Sequence, residues 1–227
     1  MAQVNYQESA EFIQNSLRLK TFPVAVKFLK DKSSFPEKTR QPSIVFGLSC
    51  AADPAETLGK LFCEVDFSQT EEYARKEVKE MVRLENEDCE AIVLAPLQKG
   101  LFDPDTVAIF GNPAQVMRMV QGLVFEEGRR VSGNFGGKVE CSEYLIAPYH
   151  TQAPRVAIPG MGDRIFSMTQ DDEMVFAIPG ILLENLVSGL KNAGKKIGAR
   201  YPVTFYQNFQ PEFPKPYKVL GETLGIL

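Results

Sequence analysis

A weak internal repeat constrains this chain more than any other feature. Asp105-Thr106-Val107-Ala108-Ile109-Phe110 leads to Pro113, an apolar-periodic stretch and Gly128-Arg129-Arg130-Val131. Asp172-Glu173-Met174-Val175-Phe176-Ala177 leads to Pro179, a similar stretch and Gly194-Lys195-Lys196-Ile197. The paired prolines and the paired glycines each stand 66 residues apart, and the leading aspartates 67. A strand, a proline-opened helix, a glycine stop and a basic re-entry therefore occur twice. This pattern predicts a duplicated β-α-β unit with halves at about 103–133 and 170–200.

Local signals extend that frame. Asn112 before Pro113, with Gln115 three residues on, marks a helix start over 114–127, and Gly128 marks its end. Leu182, Leu183, Leu186 and Leu190 form the matching stripe over 180–193. Helices are also expected over 9–19, from the Asp53-Pro54 start, and over 70–86 with Thr70 as cap. Alternating or short apolar runs predict strands at 22–29, 43–48, 91–96 and 203–206. No G-x-G-x-x-G follows a strand and no Walker A sequence is present. The expectation is an α+β fold, a mainly antiparallel or mixed sheet with packed helices. At 227 residues it can form a single domain, 1–227, that buries a core unaided.

Charge and composition narrow the function classes. A net charge of −4 without a basic stripe argues against a nucleic-acid partner. No run approaches the roughly 20 apolar residues of a membrane span, and the polar N-terminus has no signal-peptide core. A cytoplasmic protein is expected, one for which a homo-oligomer remains open. Cys50, Cys63, Cys89 and Cys141 are scattered, and in a reducing compartment they default to free thiols. A single histidine, His150, limits acid–base options.

Three segments together resemble the domain of unknown function 169 family. They are Pro23-Val24-Ala25-Val26-Lys27-Phe28; Asn112-Pro113-Ala114-Gln115; and Gly162-Asp163-Arg164 followed by Asp171-Asp172-Glu173-Met174 and Ile178-Pro179. Cys141, ahead of Gly162, fits the same pattern, and the resemblance runs from about Leu17 to Leu190. It implies a bacterial or archaeal cytosolic protein and no established activity. Members often carry a cysteine two residues before the glycine of the glycine-x-arginine segment, where this chain has Gly160. If the family uses clustered cysteines for a metal or iron–sulfur group, this chain has lost part of the set.

The candidate sites follow from residue chemistry. In Pro159-Gly160-Met161-Gly162-Asp163-Arg164, Gly160 and Gly162 permit close backbone approach, and Arg164 offers a fork to a carboxylate or phosphate. A tight turn with structural contacts from Asp163 and Arg164 explains the same residues. Gly136 and Gly137, in Gly133-Asn134-Phe135-Gly136-Gly137, are a second candidate, against a hairpin or bulge. Cys50, Cys63 and Cys141 could converge on a metal only through the fold, whereas inert buried thiols need no such convergence. Cys141 and His150 could pair as nucleophile and base; Asp171, Asp172 and Glu173 read as a solvated turn. The basic pairs Arg129-Arg130 and Lys195-Lys196 suit helix C-termini. The leading expectation is a small anionic ligand or cofactor, unidentified, in a cleft between the repeat halves near Cys141 and Arg164. The alternatives are a metal- or iron–sulfur-dependent redox protein or enzyme on the cysteines, and a regulatory or structural partner protein. The last would dock through Phe205, Tyr206, Phe209, Phe213 and Tyr217.

Overall fold

A computed structural model describes residues 5–31, 54–84, 89–202 and 214–226. Eight α-helices and five strands are assigned within them: α1 (Tyr6–Leu17), β1 (Val24–Leu29), α2 (Pro54–Glu64), α3 (Glu71–Glu80), β2 (Ala91–Pro96), β3 (Thr106–Gly111), α4 (Pro113–Glu127), α5 (Ala147–Thr151), β4 (Arg155–Ala157), α6 (Met161–Phe166), β5 (Met174–Pro179), α7 (Leu183–Asn192) and α8 (Lys215–Leu224). The strands form one sheet in the order β2-β1-β3-β5-β4, every neighbouring pair antiparallel. The α+β class read from the sequence is the class observed.

The sheet is buried on both faces, so its central strands carry apolar residues at successive positions. On one face Val107, Ile109, Phe176 and Ile178 pack under α1, α4 and α7. On the other, Val26, Ala108, Val175 and Ala177 pack under Tyr144 and Leu145. A smaller cluster, Leu58, Phe62, Ala74 and Val78, joins α2 to α3.

The two strand-helix segments that the sequence pairs supply the centre of this arrangement. β3 and β5 lie side by side, with Ala108 opposite Ala177 and Ile109 opposite Phe176. Their helices cross at two glycines. A Cβ on Gly189 would lie 1.9 Å from the Gly122 carbonyl oxygen, so backbone meets backbone there. The first helix forms as its caps direct. Asn112 Oδ1 accepts from Gln115 N at 3.0 Å, Gln115 Oε1 accepts from Asn112 N at 2.7 Å, and Gly128 closes the helix at φ 67°. Gln115 also donates to the Leu17 carbonyl at 2.8 Å, tying α4 to the end of α1. Buried Arg118 donates to the Ala193 carbonyl at 3.4 Å, just past α7.

Several boundaries differ from expectation. α1 begins at Tyr6, capped by Asn5, ahead of the expected start at 9. α3 starts at the Thr70 cap but ends at Glu80. The second helix is preceded by a 3-10 turn, Gly180–Leu182, because Gly180 sits against the Pro104 carbonyl, 1.9 Å from where a Cβ would stand. The stretch after Gly128 forms a single parallel bridge, Ser132 to Arg155, rather than a strand. The strands expected at 43–48 and 203–206 and the Asp53 cap lie outside the described residues, as do Phe205, Tyr206, Phe209 and Phe213.

The glycine crossing yields the first prediction. Gly189→Ala should destabilise the protein by about 1–3 kcal/mol, the range for overpacking a closed contact. Gly162→Ala, where a Cβ meets nothing within 4 Å, should change stability by no more than about 0.5 kcal/mol. Urea denaturation of both variants measures this, and equal stabilities would refute the crossing.

Candidate carboxylate cleft

On the face of the sheet away from α4 and α7, the chain from Ser132 to Ile146 builds a polar pocket. Gly133 lies against β4, 2.4 Å from the Val156 carbonyl at its missing Cβ, and this pins the loop to the sheet edge. The loop then turns sharply. Gly137 takes φ 75° and Val139 takes φ 55°. A positive φ is rare for a β-branched residue and costs of order 1–3 kcal/mol. The chain continues as one π-helical turn, Ser142–Ile146, which runs into α5. π turns occur frequently at functional sites.

This turn delivers Glu140 into the pocket. Its side chain is only 2% exposed. Oε1 accepts from Gly136 N and Gly137 N, each at 2.5 Å. Oε2 is buried and has no hydrogen-bond partner among the described residues. Burial pushes the carboxyl group up from its ordinary range; the two glycine N–H groups oppose this, while the charges of Glu143 and Asp163 add to it. Glu143, also buried, accepts from Asn134 Nδ2 at 3.3 Å and is likewise raised by burial, against the pull of Asn134 and Arg155. Lys138 Nζ reaches Glu77 Oε2 on α3 at 2.7 Å and lies 4.9 Å from the centre of the Phe62 ring. α3 and this segment border a solvent-reaching cavity of about 70 Å³, lined by Glu77, Glu80, Lys138, Glu140 and Glu143.

The loop from Pro159 to Arg164 is the start of α6, not an open turn. Asp163 Oδ2 accepts from Gly160 N at 2.9 Å, capping the helix, and Oδ1 accepts from Tyr144 Oη at 2.8 Å. Gly160 packs on the pocket wall, where an added Cβ would stand 3.1 Å from Lys138 Cα and 3.5 Å from Glu140 Cγ. The fold therefore brings Gly136, Gly137, Gly160 and Asp163 to one place, with Cys141 beside them. It does not bring Gly162 or Arg164 there. Gly162 is exposed, and the Arg164 guanidinium donates to the Gln170 carbonyl and, at 3.5 Å, to the Glu173 carbonyl. Arg164 thus holds the link between α6 and β5. Glu173 is buried in that link and accepts from Gln170 N at 2.8 Å, so the acidic run is only partly solvated.

Cys89 and Cys141 pack against the second face of the sheet. Burial and the Asp163 charge push Cys141 up to about 12, so it keeps its proton at neutral pH and is a poor nucleophile. Burial and Asp163 drive the Tyr144 hydroxyl higher still. Cys63 lies on α2 and Cys50 outside the described residues. Among the described residues, no three His, Cys, Asp or Glu side chains are grouped to hold a metal ion. No described helix is long and apolar enough to cross a membrane.

Glu140 was not singled out by sequence reasoning. Its only local signal is position: a carboxylate three residues after Gly136-Gly137, within reach of two turned N–H groups.

An α+β protein with an antiparallel five-stranded sheet and a buried-carboxylate cleft is the class these features define. The family model of domain of unknown function 169, described as uncharacterised ArCR, matches residues 42–189, and the chain belongs to that family. It is also similar to an uncharacterised protein, MJ0308, of Methanocaldococcus jannaschii, 29% identical over 150 residues. The match takes in 65% of this chain and 64% of that relative, a little under two thirds of its length. No solved structure matches the chain.

Two predictions arise from this geometry. Glu140 and Glu143 both hold protons in the folded state above 4.5, the ordinary glutamate value, where the unfolded chain has released them. Their contribution is full below that value and lost as pH rises through the raised ones. Glu140→Gln keeps an acceptor for Gly136 and Gly137 but cannot ionise. Its stability, measured by urea denaturation from about pH 4.5 to 8, should gain on wild type as pH rises; parallel profiles would refute the buried-acid assignment. Arg164→Ala should cost about 1 kcal/mol by freeing the 167–173 link, and an unchanged urea midpoint would count against that role.

Proposed function

We propose that the Glu140 cleft is a binding site for a small molecule, and that the protein is a single-domain cytoplasmic binding protein. The observation that carries this reading is the orphaned Glu140 Oε2. Buried polar atoms are almost always partnered, and here an unpartnered acceptor belongs to a residue that borders a solvent-reaching pocket. The strained Val139 supports it, since such backbone concentrates at ligand and catalytic sites. So does the arrival of Gly160 and Asp163 at the same wall. Cys63 and Cys141, neither of them in a disulfide, agree with a reducing compartment.

The cleft does not lie between the two strand-helix units. Their interface is closed at Gly122 and Gly189, and the pocket sits on the opposite face of the sheet. The pairing of β3 with β5 and of α4 with α7 still favours descent of these units from one duplicated element. Within the cleft, carboxylates outnumber cations and Arg164 is committed elsewhere, which disfavours the anionic guest anticipated from the sequence.

Native mass spectrometry of gently purified protein should show a bound small molecule. The adduct should be depleted in Glu140→Ala and retained in Arg164→Ala, both checked for folding by circular dichroism. Wild type free of any adduct, together with no thermal stabilisation by any compound of a metabolite set, would refute the reading.

A further inference from the structure

We infer that the guest of this cleft is an organic cation with an apolar body, an alkylammonium or amidinium compound rather than an acid. This rests on the binding reading above and adds the ligand's class. Two independent features carry it.

The first is the electrostatic character of the polar wall. Glu140 presents one unpartnered oxygen from a side chain that is 2% exposed. Glu143 from the π turn, Glu77 and Glu80 from α3 and Asp163 from α6 surround it with negative charge. Lys138 is engaged by Glu77 at 2.7 Å, and Arg155 lies near Glu143, donating to Ser132 Oγ with its buried Nε unpartnered among the described residues. An ammonium or amidinium group supplies the missing donor and opposes the surplus charge together; a carboxylate guest does neither.

The second is the crevice next door. Leu58, Met81, Leu84, Ile92 and Leu145, with Arg83 among them, line a mostly apolar recess. Met81 and Ser142 border both this recess and the polar cleft, so the two adjoin. A guest with its charged head at Glu140 has apolar surface immediately beyond, and each methylene buried there contributes favourably.

The test uses three probes of equal chain length on the full-length protein: hexylammonium, 1-hexanol and hexanoate, followed by calorimetry and thermal shift. Hexylammonium should bind at least roughly tenfold more tightly than the other two, and more tightly than ethylammonium. Its affinity should rise with pH until Glu140 is fully ionised, because a neutral acid offers the cation no charge. Glu140→Gln should weaken hexylammonium toward the level of hexanol and flatten the pH dependence to the part that Glu143 contributes. Hexanoate binding as well as or better than hexylammonium, with loss in Glu140→Gln, would overturn the cation class and leave the cleft reading standing. Binding of none of the three would overturn the class too, and the adduct experiment then decides the cleft alone. Ammonium binding that is indifferent to both Glu140→Gln and pH would place the cation elsewhere and refute the inference.

Discussion

Two glycines on neighbouring helices set the geometry of this protein. Where α4 crosses α7, the Gly122 carbonyl occupies the space a Cβ at Gly189 would need. These helices follow β3 and β5, which are adjacent and antiparallel. With that face closed by apolar side chains and buried backbone, the irregular chain between Gly128 and Met174 is left to cover the other face. It does so by placing Tyr144 and Leu145 on Ala108, Val175 and Ala177. The small residues of the central strands are what admit the π turn so near the sheet. Thr106 fixes it, donating from Oγ1 to the Leu145 carbonyl at 3.0 Å.

The position of the polar cleft follows from this. A π turn holding two apolar side chains against the sheet directs the residues just before it outward and toward α3. Glu140 is buried there with its Oε1 clamped by two N–H groups and its Oε2 left open. A buried carboxyl group in this setting stays protonated above its ordinary range. The raised states of Glu140, Glu143, Cys141 and Tyr144 share one first cause, loss of solvent, and their mutual charges reinforce it.

Much of the fold was legible because its signals are local. The Asn112–Gln115 box, the Thr70 cap, the Gly128 stop and the apolar runs of β2, β3 and β5 each depend on a few neighbouring residues. Between Gly133 and Ser167 the sequence was harder to read. The π turn, α5 and α6 are short, and their stability comes from tertiary contacts such as Tyr144 with Asp163, which no periodicity announces. The same limit governed the site. Gly136, Gly137, Gly160 and Asp163 were found by their turn chemistry, and they do converge. The Arg164 guanidinium suggests an anion, but backbone carbonyls in the link just after α6 claim it. Glu140 escaped notice because a glutamate beside a glycine turn ordinarily faces water. Only the third dimension shows that this one is enclosed.

The enclosure has an energetic consequence on the proposed reading. A strained Val139, a buried acid with an open oxygen and several carboxylates at close quarters all oppose the folded state. They persist because the two cores of the sheet hold the chain in place. A guest that donates to Glu140 and carries positive charge relieves the open acceptor and the charge repulsion at once. Binding of such a guest and stabilisation of this face of the protein are then one linked equilibrium, since whatever binds the folded state alone shifts folding by mass action. An acidic guest would add its charge to those already crowded there, and the bound form would inherit the strain that the free form carries.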